Sequence, residues 1–132
     1  MSIKGLAFRY AQAWADRNLD AIMALHTDDT VFHLHAEGAE GGGAAVGATA
    51  VREAFASGLA RIPDLRFEPT RVIFGEDHFI SLYMMSGTLN GKPFAYDGVD
   101  IFEVKDERIA RKDSYGDWVA YARQVGLGPL GL

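Results

Sequence analysis

The chain is 132 residues long, which suits one domain with a single sizeable core, and its 48% apolar and 23% charged content is that of an ordinary globular protein. A net charge of −5 without any basic cluster argues against nucleic acid as a partner, since neutralising phosphates needs clustered Lys and Arg. The absence of cysteine excludes disulfides and thiol chemistry and makes a reducing cytoplasm the expected compartment.

The opening run, MSIKGLAFRYAQAW, has neither the long apolar core nor the cleavage site of a signal peptide. No apolar run is long enough to span a bilayer, so no membrane partner is expected. Residues 3–17 read instead as a helix, with Leu6, Tyr10, Ala13 and Trp14 on one face. Asn18 suits an N-cap for a short helix over 19–26, with Leu19, Ile22 and Met23 inward. Residues 30–35 alternate and are rich in strand formers, giving the faces Val31/His33/His35 and Phe32/Leu34. The glycine-rich segment 37–47 reads as a loop, either a plain surface loop or one lying over a pocket mouth, and it lacks the spacing of a phosphate-binding loop.

Residues 48–62 form a third predicted helix with Val51, Phe55, Leu59 and Ile62 as its buried stripe. From Leu65 the hydrophobic period changes to two, and 65–75, 79–89, 94–105 and 108–116 read as strands. The turn at Asn90-Gly91 is the strongest signal, because a type I′ hairpin needs positive φ at both central residues. Residues 117–125 read as a closing helix capped by Asp117, with a tail from Gly126. The order of elements predicts an α+β fold: a curved antiparallel sheet whose short N-terminal helices cannot seal the concave face, leaving a cone-shaped pocket. Val99 and Ile101 alternate with Asp100 and Phe102, so the outer sheet face carries apolar residues and predicts a homodimer.

Two runs resemble a known family. FRYAQAWADRNLDAIMALHTDDTVF is similar to the opening of the NTF2-like superfamily, and GVDIFEVKDERIARKDSYGDW to its closing hairpin. The segment ARQVGL also fits the tails of its SnoaL-like branch, so the resemblance covers nearly the whole chain. It implies a single domain with the α+β roll predicted above. Ketosteroid isomerases, polyketide cyclases, limonene-epoxide hydrolases, dehydratases and non-catalytic binding domains share this fold, so the resemblance implies a pocket rather than one reaction.

Three residues are the catalytic candidates. Asp100 shares a strand face with Tyr96, Gly98, Phe102 and Val104, an apolar setting that tunes a carboxyl group for acid/base work. By resemblance it matches the oxyanion-hole acid of the isomerases, and Tyr10 falls where they place their oxyanion-hole tyrosine. His33 falls where they place their proton-shuttling carboxylate, with His35 the second choice, and an imidazole is a ready base at neutral pH. Each has a plainer reading as a core or ion-paired residue. His33 and His35 share a strand face, but no third ligand is evident, so no metal is expected and no cofactor is implied.

On the last strand, Lys112 and Ser114 are expected inward. Limonene-epoxide hydrolases carry an Asp where this chain has Ser114, which disfavours that activity; a one-residue bulge would turn Asp113 inward instead. Lys112 inward would pair with Asp100 and favour a base role for it. Trp14, Phe55 and Leu59 from the helices, and Tyr83, Met85, Tyr96 and Phe102 from the sheet, would complete a wall suited to a small, flat, hydrophobic substrate. Three readings follow: a cofactor-free acid/base enzyme (isomerase, cyclase, dehydratase or hydrolase), a small-molecule binding module, or a dimerisation domain with a filled pocket. Asp100 near His33 in a void supports the first, a roomy void with these groups ion-paired away the second, and no void the third.

Overall fold

The computed structural model describes residues 2–39 and 41–127; most of the tail expected after Gly126 lies outside the described residues. Helix α1 (Ile3–Ala15) starts where the Ser2 hydroxyl accepts the Gly5 N–H and buries Leu6, Tyr10 and Ala13. Helix α2 (Leu19–Ala24) is capped by Asn18, whose side chain accepts the Ala21 N–H. It is shorter than expected, because His26 already belongs to strand β1 (His26–Leu34). Within the glycine-rich segment lies an unexpected short strand, β2 (Gly43–Val46), pairing antiparallel with β1. Small residues with little strand propensity hid it. Helix α3 (Ala48–Arg61) follows and buries Val51 and Phe55.

The remaining strands are β3 (Arg66–Phe74), β4 (His78–Leu89), β5 (Lys92–Lys105) and β6 (Arg108–Gly116), and helix α4 (Trp118–Val125) closes the chain. Asp117 caps α4 by accepting the Ala120 N–H. The β4–β5 turn has Asn90 at φ 51 and Gly91 at φ 80, as a type I′ turn requires. One curved, unclosed sheet results, in the order β2-β1-β6-β5-β4-β3. It is not wholly antiparallel: β1 runs parallel to β6, which brings the first and last long strands side by side.

On β5 burial alternates without a break from Phe94 to Phe102, so Phe94, Tyr96, Gly98, Asp100 and Phe102 face inward. On β6, Glu103 pairs with Arg111 but Val104 with Ile109, leaving Ala110 as an extra residue. This bulge shifts the alternation, so Ile109, Lys112 and Ser114 are all buried while Asp113 faces outward. Phe79 and Phe102 stack at 4.2 Å beneath α1, each burial contributing on the order of 2–3 kcal/mol. A second cluster of Ile62, Phe94, Tyr96 and Val125 packs beneath α4. Among the described residues no helix is long and apolar enough to cross a membrane.

Candidate functional site

A cavity of about 240 Å³ lies between the two clusters, lined by Phe55 and Leu59 of α3, Tyr83 and Met85 of β4, Tyr96 of β5 and Trp118 of α4. Ala36, Ala39 and Gly41 also line it, so the glycine-rich segment does border the mouth. A second cavity, of about 640 Å³, lies between α1 and the β3–β4 side of the sheet. Trp14, Phe67, Tyr83, Asp100 and Lys112 line both, so these side chains form the partition between them.

Asp100 and Lys112 are the buried charges of this partition, with Lys112 Nζ 3.7 Å from Asp100 Oδ2. The other carboxylate oxygen accepts from Ser114 Oγ at 2.6 Å and from the Tyr83 hydroxyl at 2.9 Å. Burial, then the charge of Asp100, pushes Tyr83 far above the ordinary phenol range, so Tyr83 is a donor. Tyr83 fits because β5 has Gly98 opposite it: a Cβ there would stand 2.5 Å from the Tyr83 ring.

Lys112 is enclosed by aromatic rings. Its Nζ lies 4.7 Å from the Trp14 ring centroid, 4.9 Å from Phe55, 5.1 Å from Tyr10, 5.5 Å from Phe32 and 5.7 Å from Phe102. It also donates to the Tyr10 hydroxyl at 3.2 Å. That hydroxyl lies 3.0 Å from His26 Nε2, and His26 Nδ1 lies 2.8 Å from Thr30 Oγ1. Burial, reinforced by the Lys112 charge, pulls His26 down to about 3, so the ring is neutral. Burial raises Tyr10 above the ordinary phenol range, against the pull of Lys112. Trp14 Nε1 is buried and makes no hydrogen bond of ordinary geometry among the described residues, and its N–H works on the Tyr10 hydroxyl, favouring the phenolate against burial.

His33 and His35 are not in this site. Parity places Phe32 and Leu34 on the inner face of β1, so both histidines point outward, away from the cavity where the sequence reading had put them. Their rings stack at 3.7 Å, and His35 stacks on Tyr115 at 4.0 Å. His33 bonds Glu37, and His35 bonds Asp113 at 2.7 Å. The metal-donor atoms of His33, His35 and Glu37 lie within 4.8 Å of one another, so Glu37 is the third potential ligand that strand spacing could not identify. Burial alone would raise Asp113, but bonds from Arg111 and His35 outweigh it and hold the carboxyl below its ordinary range.

Of the expected substrate-binding residues, Trp14, Phe55, Leu59, Tyr83, Met85, Tyr96, Lys112 and Ser114 line the first cavity. Tyr10 and Phe102 line only the second, and Asp100 lines both. The residues missed were His26, Thr30 and Arg61. Thr30 shares the parity of Leu34 and Phe32, but the register shifts between His26 and Val31, so that count does not extend to His26.

The fold and its buried polar cluster define a small α+β roll with a pocket between helices and sheet. The sequence profile described as SnoaL-like domain matches residues 7–112, and the chain belongs to that family. No curated protein matches it in sequence. Among solved structures, an NTF2-like protein of unknown function from Burkholderia pseudomallei superposes with a TM-score of 0.84 at 19% identity, over 95% of this chain and 98% of that one. A protein of Catenulispora acidiphila with a ketosteroid isomerase-like fold gives 0.82 at 22% identity, covering 94% of each chain. IdmH of Streptomyces antibioticus, a proposed polyketide cyclase, gives 0.77 at 20% identity, over 94% of this chain and 98% of IdmH. At these identities the likeness is one of fold.

Proposed function

We propose that the protein is a cofactor-free acid/base enzyme acting on a small hydrophobic carbonyl compound. The observation that carries this reading is the Asp100–Lys112 pair set in the wall of an apolar cavity. Asp100 Oδ2 is the base: it takes a proton from the carbon next to the carbonyl, the C–H pair moves to form the enolate, and the charge settles on oxygen. Lys112 stabilises that oxygen. Returning the proton to another carbon gives isomerisation; attack of the enolate on a second carbonyl carbon moves that C=O π pair to its oxygen, which takes the proton back from Asp100, and gives cyclisation. In this reading Tyr10 positions Lys112, and His33 has no part. Both a proposed polyketide cyclase and a protein co-crystallised with polyporic acid share the fold, in keeping with a flat oxygenated substrate.

The test is exchange of the α-hydrogens of 2-tetralone with deuterated water, followed by NMR. The native protein accelerates exchange and Asp100→Asn slows it by about 10²-fold or more. Equal rates for the two, at matched folding, would sink the proposal.

Two observations favour a binding module instead, the arrangement expected when these groups are paired away from the void: both oxygens of Asp100 already face partners, Tyr83 and Ser114 on one side and Lys112 on the other, and His33 lies outside the cavity on Glu37. Tight ligand binding unchanged in Asp100→Asn, with no exchange in either protein, would select that reading.

We further infer a homodimer through the outer sheet face. Ile101 and Tyr115 are 37% and 42% exposed there, and Arg111, Asp113 and Glu103 supply both signs of charge for a self-complementary contact. Light scattering should give twice the chain mass, and Ile101→Glu should give a monomer.

A further inference from the structure

Among the described residues, the lining of the first cavity carries one charge more than its internal pair accounts for. Among its lining side chains the ionisable groups of fixed sign are Asp100, Lys112 and Arg61. Asp100 and Lys112 face each other. Arg61, in the last turn of α3, has no carboxylate partner among the described residues, although the chain as a whole is acidic. Its charge acts on the cavity wall: burial raises Tyr96 well above the ordinary phenol range, and Arg61 is the group that pulls it back down. A half-buried guanidinium beside apolar walls is an uncompensated cation waiting for an anion.

The mouth is shaped around it. Gly41 lies over the guanidinium, and a Cβ at that position would stand 3.3 Å from one terminal nitrogen of Arg61. Gly41 also has φ +82, a conformation that favours glycine. The bordering segment thus approaches Arg61 closely without supplying a charge of its own from the described residues that line the mouth.

From these observations we infer that the ligand of this cavity is a flat hydrophobic monoanion, an aromatic or polyenic carboxylic acid or acidic enol, whose charged group sits on Arg61 at the mouth. The inference rests on the cavity proposed above as the substrate site and names the class of molecule it selects. A neutral ligand would leave the guanidinium half desolvated against apolar walls. A dianion would exceed the available positive charge, and a cation would meet Arg61 on entry.

The test compares 2-naphthoate with its methyl ester, a pair alike in shape and differing in one charge. Binding is read by quenching of Trp14 and Trp118, both of which line the cavity, and by calorimetry. The native protein should prefer the acid by about tenfold or more. Arg61→Gln should bring the two to within about twofold of each other by weakening the acid alone, and Arg61→Lys should restore most of the preference. Gly58→Trp places a ring in the mouth, where a Cβ meets nothing within 4 Å, and should abolish binding of both compounds. Equal affinity for acid and ester in the native protein would overturn the inference. So would a preference that survives Arg61→Gln, or acid binding that survives Gly58→Trp. No turnover is read, so the outcome is separate from that of the exchange experiment: charge selection stands or falls whether or not Asp100 moves a proton.

Discussion

The hydroxyl of Tyr10 stands 3.0 Å from Nε2 of His26, and the bond between them has one direction. Lys112 has no lone pair to offer, so the phenol oxygen accepts from Lys112 and its own hydrogen must go to His26. The neutral imidazole then carries its hydrogen on Nδ1 and donates to Thr30. The ordered sequence Lys112, Tyr10, His26, Thr30 ties the first helix to both strands β1 and β6.

A stability profile follows from that order. His26 has a folded pKa of about 3 against an ordinary value of 6.5. Between those values the unfolded chain takes up a proton that the native chain refuses, so this contribution is fully present above pH 6.5 and is lost as pH falls toward 3. Its slope is at most about 1.4 kcal/mol per pH unit. Urea denaturation from pH 7 to pH 4 should show stability declining, and His26→Gln should flatten the decline while costing stability at pH 7. Parallel profiles would refute the assignment.

Breaking the Asp100–Lys112 pair from one side should be severe. Lys112→Met leaves the buried Asp100 carboxylate without its cation and should cost about 3–5 kcal/mol. Adding Asp100→Asn to it should recover part of that loss, so the double variant is more stable than the single one. Chemical denaturation of the native protein, both single variants and the double variant measures the coupling; simple additivity would mean that the pair does not interact.

Gly98→Ala tests the fit of Tyr83. The added methyl would meet the Tyr83 ring, and the phenol would leave Asp100 Oδ1. A loss of about 1–3 kcal/mol is expected from overpacking, with a fall in 2-tetralone exchange beyond what unfolding explains. An unchanged melting temperature would show that the ring has room to move.

The two carboxylates at 100 and 113 should differ sharply in kinetics. Asp113 faces outward and is held by Arg111 and His35. Asp113→Ala should therefore change exchange rates by less than about threefold, where Asp100→Asn should slow them by about 10²-fold or more. A large effect at Asp113 would mean that the parity of β6 differs in solution.

Much of this was legible beforehand, because long amphipathic stretches state their own period. The alternation on β5 from Phe94 to Phe102 gave the inward position of Asp100, and the stripe Val51, Phe55, Leu59, Ile62 gave the inner face of α3. What was not legible depended on partners distant in sequence. His33 looked inward through its place in the resemblance, yet the inner face of β1 belongs to Phe32 and Leu34, and a single-residue offset reverses every side chain. His26 looked helical because α2 runs up to it, but it pairs with Ile109 across the sheet. Arg61 ends a helix, where a basic residue is ordinary, and only the cavity beside it makes it notable.

The extra residue at Ala110 has a wider consequence. A strand read two at a time behaves like a frame, and one insertion exchanges the whole set of inward side chains for its alternate. With the bulge, β6 offers the interior Lys112 and Ser114; without it, Arg111 and Asp113 would take their places. Two relatives could thus carry the same residues on this strand and present a different set of charges to the same cavity: one cation with a hydroxyl, or a cation with a carboxylate. On this strand, a change of the inward side chains needs no substitution at the site, only the gain or loss of one small residue two positions before Lys112.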